Sequence, residues 1–111
     1  MWCFLRNGFL SIVQDKDNEN YLVVRARVRG DIEAYWPTAD VTESPENDYR
    51  YRTRLLRSEV ASVISDYILN DLNHTNYKAA VNMVDPRRSE YYGMVWAILA
   101  DMQDHFSNPE E

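Results

Sequence analysis

Residues 21–30 read Tyr21-Leu22-Val23-Val24-Arg25-Ala26-Arg27-Val28-Arg29-Gly30. Side chains of a strand alternate between its two faces. Leu22, Val24, Ala26 and Val28 therefore point one way, and Val23, Arg25, Arg27 and Arg29 the other. One face is wholly apolar and the other carries arginine at every second position. That pattern predicts an antiparallel strand with one side on a core and one side toward water. Gly30 ends it. The pattern returns at residues 49–56, where Tyr49, Tyr51, Thr53 and Leu55 alternate with Arg50, Arg52, Arg54 and Leu56.

Working outward, Trp2–Leu5 and Phe9–Val13 are rich in strand formers and flank Asn7-Gly8, a type I′ turn pair. The hairpin so predicted sets Leu5 opposite Leu10 and Cys3 opposite Ile12. Cys3, Leu5, Leu10 and Ile12 then face the core; Trp2, Phe4, Arg6, Phe9, Ser11 and Val13 face outward. After Gly30, Asp31 caps a short helix, Ile32–Trp36, which Pro37 ends. Asp40–Glu43 reads as an edge strand and Ser44–Asp48 as a loop.

Ser58 is the expected cap of a helix over Glu59–Leu72 with an apolar stripe of Val60, Val63, Ile64, Tyr67 and Ile68. A short helix over Tyr77–Val84 follows. Asp85-Pro86 is an N-cap with proline at the first helical position. It opens the longest helix, to Phe106, with Tyr91, Val95, Ile98, Met102 and Phe106 on one face. Gly93 inside that helix suggests a close approach of another element, because glycine there costs about 1 kcal/mol relative to alanine.

These elements predict one α+β domain over residues 1–111. Its parts are an N-terminal β-hairpin (1–14), a core (15–72), C-terminal helices (73–106) and a frayed tail (107–111). The expected sheet is antiparallel, with about five strands and a ferredoxin-like β-α-β-β-α core. At 111 residues, 45% of them apolar, the chain can bury roughly two thirds of its unfolded surface. It needs neither disulfide nor metal. A single cysteine, no apolar run long enough to span a bilayer and no basic leader at the N-terminus predict a cytoplasmic protein.

Little in the sequence suggests catalysis. Cys3 lies on the predicted core face. His74 is in a polar loop and His105 near a helix end. Asp15-Lys16-Asp17-Asn18-Glu19 lacks the glycine and terminal glutamate of a calcium loop, and no phosphate-cradling glycine loop is present. The expectation is no enzyme activity, no cofactor and no metal.

Two charge patterns stand out. Arg25, Arg27, Arg29, Arg50, Arg52 and Arg54 make up half of the 12 basic residues. In one sheet and in phase they would line an anion-binding face, or a solvated face paired with nearby carboxylates. Tyr49 and Tyr51 fall on the opposite face in this reading, so that face lacks the stacked aromatics of a base-binding platform. The net charge is −6, and nine of 18 acids fall within residues 15–48. They are Asp15, Asp17, Glu19, Asp31, Glu33, Asp40, Glu43, Glu46 and Asp48. Spaced along turns and an edge, they would present a phosphate-like row to a DNA-binding protein, or form a solvated rim.

The stretch Trp2–Val13 followed by Leu22-Val23-Val24-Arg25-Ala26-Arg27 resembles a family of small bacterial and prophage proteins. Asp48-Tyr49-Arg50-Tyr51-Arg52 and Asn76-Tyr77-Lys78-Ala79-Ala80-Val81 are two further shared segments. In size, acidity and architecture the chain is similar to phage anti-CRISPR proteins of the type I-C inhibitor class. That resemblance implies a non-catalytic, monomeric, acidic inhibitor. Its partner would be a protein, the large PAM-reading subunit of a type I surveillance complex, whose DNA binding it would block by DNA mimicry without touching nucleic acid itself. The alternative from the residues alone is a nucleic-acid or anionic-ligand binder that uses the arginine face.

Overall fold

The computed structural model describes residues 1–107. The chain divides into two compact units, Met1–Thr75 and Asn76–Glu111. The first holds strands β1 (Trp2–Leu5), β2 (Gly8–Gln14), β3 (Tyr21–Ala26), β4 (Thr42–Glu43) and β5 (Tyr51–Leu56), then helix α1 (Arg57–Asp66). The second holds α2 (Tyr77–Val84) and α3 (Pro86–Ser107). The fold class is α+β, with the strands N-terminal and the helices C-terminal. The part of the tail from residue 108 onward lies outside the described residues. Among the described residues no helix is long and apolar enough to cross a membrane.

The sheet has the order β1-β2-β3-β5-β4, and every neighbouring pair is antiparallel. Leu10, Ile12, Val24, Ala26, Tyr51 and Leu55 pack its inner face against Val60 of α1 and against Ile32 and Trp36 of the β3–β4 connection. Cys3 and Leu5 border that core, on the face the alternation predicts.

β3, β5 and β4 stand in the order expected of the ferredoxin-like core: each is antiparallel to its neighbour, so β3 and β4 run parallel with β5 between them. The crossover that joins β3 to β4 is not a regular helix, however. The predicted helix Ile32–Trp36 is a run of turns held by Ala34 N–H on Gly30 O and Trp36 N–H on Ile32 O. The Asp31 carboxylate accepts the Phe9 N–H at 3.0 Å, and Pro37 offers no N–H to extend the run.

Other boundaries move for local reasons. The hairpin pairs Cys3 with Leu10 and Leu5 with Gly8, so Arg6-Asn7 form the loop. This slip of two preserves the face of every side chain. Neither Asn7 nor Gly8 takes the positive φ of a type I′ turn; among the described residues only Gly30 does, at 94°. Gly8 is required for another reason: a Cβ there would lie 3.0 Å from Asp31 Cβ and 3.1 Å from Asp31 O. The edge strand is two residues long, not four, and β5 starts at Tyr51, not Tyr49.

Helix α1 starts directly off β5. Arg57 N–H donates to Asn20 O at 2.7 Å, so Ser58 falls inside the helix and caps nothing. At Tyr67–Asp71 the helix widens to a π turn, with Leu72 N–H on Tyr67 O. The buried Tyr67 ring meets Tyr35 edge-on at 6.0 Å.

In the second unit, Asn76 Oδ1 accepts the Ala79 N–H and caps α2. Asp85 Oδ1 accepts the Arg87 and Arg88 N–H groups ahead of Pro86, as predicted. Tyr77 of α2 stacks on Tyr92 of α3 at 6.1 Å. Gly93 faces open space, with nothing within 4 Å of a Cβ built there. No close approach explains it.

Candidate functional site

The outer face of the sheet follows from the registers. Across the strands it carries Trp2 and Phe4, then Phe9, Ser11 and Val13, then Tyr21, Val23 and Arg25, then Arg52, Arg54 and Leu56. No carboxylate stands at a strand position on this face. Within the first unit the core elements pack on the other side, and Trp2 keeps 65% of its surface exposed. Phe4 and Phe9, register partners, stack at 4.5 Å, and Trp2 meets both edge-on at 6.2 and 5.7 Å.

The two arginine strands are neighbours, and Arg25 lies opposite Arg52. Like charges at facing positions repel, so each side chain must find other partners. Arg25 Nη2 donates to the buried Ser11 Oγ at 2.6 Å. Its guanidinium carbon also sits 4.5 Å from the centre of the Tyr49 ring, with that of Arg27 at 4.3 Å. Arg52 Nε donates to Tyr49 O, and its Nη2 lies 3.5 Å from Asp48 Oδ1. Arg54 lies 3.6 Å from the centre of the Tyr21 ring and 3.3 Å from Asp15 Oδ1. Arg29 bonds Glu43 at 2.7 Å, beyond the end of β3. Arg27 donates to Asp48 O, and Arg50 is exposed.

Tyrosine thus interleaves with arginine, contrary to the alternation over residues 49–56. Tyr49 precedes β5, so strand phase does not govern it, and its ring turns to the arginines and is buried there. Tyr51 keeps its place in the core. Trp2, Phe4 and Phe9 are readable as outward-facing from the sequence. Their closure into one cluster beside Arg25 depends on the strand order.

The nine acids do not form one row. Asp15, Asp17 and Glu19 lie in the β2–β3 turn, near the end of β5; Glu43, Glu46 and Asp48 lie near its start. Six residues of strand, about 20 Å, separate the two groups. Asp31 is 2% exposed and belongs to the interior, not to a surface row. Asp15, Glu43 and Asp48 are ion-paired to Arg54, Arg29 and Arg52. Asp17, Glu19, Glu33, Asp40 and Glu46 remain exposed.

Partial burial raises the Asp15 pKa, but the N–H groups of Asp17 and Asn18 and the Arg54 guanidinium outweigh it and hold the carboxyl below its ordinary value. Burial pushes the Cys3 thiol up, against a smaller opposing pull from the N-terminal ammonium, which disfavours the thiolate a nucleophile needs.

Comparison with protein-family models, with curated proteins and with solved structures found no match.

Proposed function

We propose that this protein is a non-catalytic binding module that takes a single-stranded nucleic acid on the outer face of its sheet. The observation that carries this reading is the juxtaposition of an aromatic cluster, the exposed Trp2 with the half-buried Phe4 and Phe9, with Arg25, Arg52 and Arg54 on the same face. Bases stack on aromatic rings irrespective of sequence, and arginine tracks the phosphates. The two groups sit one to three strand spacings apart, about 5–15 Å, which suits adjacent parts of one strand. The remaining surface is net negative and repels the rest of a long polyanion, so a short contact with modest salt dependence is expected.

A second reading is supported by a different observation: the net charge of −6 and the exposed Asp17, Glu19, Glu33, Asp40 and Glu46. In it the protein is an anti-CRISPR-type inhibitor that occupies the DNA site of a type I surveillance complex by mimicry. Binding would then be to a basic protein surface and not to nucleic acid.

One experiment separates them. Labelled single-stranded and PAM-containing duplex DNA are each titrated with the purified protein, and the duplex is also offered to a type I complex with and without it. Binding of single strands that Trp2→Ala and Arg25→Ala/Arg52→Ala abolish supports the first reading. Displacement of duplex from the complex, without binding to either DNA, supports the second and removes the first. If neither is seen, both fail.

A further inference from the structure

We propose that α3 pairs antiparallel with α3 of a second copy of this chain. The inference is independent of the sheet face. Helix α3 has 22 residues against eight for α2, about 33 Å against 12 Å, so α2 can cover only part of it. Tyr92, which stacks on Tyr77 of α2, marks the side toward it, and Ser89, one turn earlier, is the buried residue of α3. At 100° per residue, Tyr91, Met94, Ile98 and Met102 fall within an arc of about 80° on the opposite side. Leu99 and Phe106 flank them.

All six are exposed, from 49% for Leu99 and Met102 to 74% for Phe106. Tyr91 and Phe106 alone leave roughly 250 Å² of ring surface open. With the four aliphatic side chains the stripe exceeds the few hundred Å² usual for a lone apolar patch. Apolar residues at 91, 94 and 98 keep the three- and four-residue spacing of a coiled-coil seam.

Charge identifies the occupant and its direction. Arg87 lies in phase with the seam at its N-terminal end, and Asp101 borders it near the C-terminal end. A parallel pair would set Arg87 beside Arg87 and Asp101 beside Asp101. An antiparallel pair brings Arg87 to the acidic end of the second copy and opposes the two helix dipoles. With Met94 against Ile98 of the other copy, two apolar layers meet at the centre. Tyr91 then meets Asp101, and Arg87 comes within one turn of it.

Sedimentation equilibrium of the full chain over a range of concentrations tests this. A concentration-dependent dimer is expected. Ile98→Glu, at an exposed position, should raise its dissociation constant at least about tenfold with an unchanged circular dichroism spectrum. At low salt Arg87→Glu should weaken it several-fold, and Arg87→Glu with Asp101→Arg should restore it. A monomer at every concentration, as when the first unit of the same chain covers α3, overturns the proposal. So does a dimer indifferent to Ile98→Glu. A dimer that the double charge swap fails to rescue overturns the antiparallel arrangement.

Discussion

The guanidinium of Arg25 donates a 2.6 Å hydrogen bond to the hydroxyl of Ser11, its register partner on the adjacent strand. Ser11 is almost fully buried, and Arg25 is half-covered beside Tyr49. The bond holds one cation on the outer face with no ion-paired carboxylate among the described residues. Ser11→Ala should cost about 1 kcal/mol in urea unfolding. It should also weaken any anion binding at this face more than its effect on stability explains, because Arg25 is then free to move. Unchanged stability and unchanged binding would show that Ser11 does not position Arg25.

The Gly8 contact predicts two glycine substitutions of opposite sign. A methyl group at Gly8 runs into Asp31 backbone atoms at 3.1–3.2 Å, which cannot move cheaply. Gly8→Ala should cost about 1–3 kcal/mol. Gly93→Ala meets open space in the middle of a helix and should add about 1 kcal/mol. Thermal melts of the two variants, one lower and one higher than the parent, are the check.

Asp31 ties the β3–β4 connection to the hairpin through the Phe9 N–H. Asp31→Ala leaves that donor without its acceptor and should destabilise by about 1–3 kcal/mol. Amide exchange at Phe9, followed by NMR, should accelerate more than exchange in β5. Uniform acceleration instead would mean that the effect is global and does not pass through this bond.

For Asp15 the folded-state pKa lies below its ordinary value of 3.8. A depressed carboxyl contributes stability above its unfolded pKa and loses it as pH falls through the folded one. The urea midpoint should therefore drop on acidification below about pH 4. Asp15→Asn should lower the neutral-pH midpoint and flatten that acid limb. Parallel acid limbs for parent and variant would refute the assignment.

Much of the sheet was legible because one short-range rule governs it. Strand alternation placed Leu22, Val24 and Ala26 inside and Arg25 outside, and it survived a register slip of two in the hairpin. The cap at Asp85 was legible because that side chain has no competing partner, and it caps α3; the cap that Asn76 gives α2 was not read. The same reasoning failed at Asp31 and Ser58. A backbone donor from β2 binds the Asp31 carboxylate, and α1 starts at Arg57, one residue before the expected cap, so Ser58 falls inside the helix.

The acidic row failed for a related reason. Nearness in sequence within residues 15–48 does not survive folding, because β3 runs between the two acidic groups and leaves them at opposite ends of the sheet.

By itself the sequence determined the α+β class, the two faces of the sheet and the identity of the outward aromatics and arginines. All of these depend on periodicities of two and 3.6 residues that any folded chain must obey. Only the tertiary structure decided that β3 and β5 are neighbours, that Tyr49 turns to Arg25 and Arg27, and that Asp31 lies inside. Each of those depends on contacts between residues 20 or more positions apart, whose pairing is chosen by packing and charge compensation across the whole sheet and leaves no local mark in the chain.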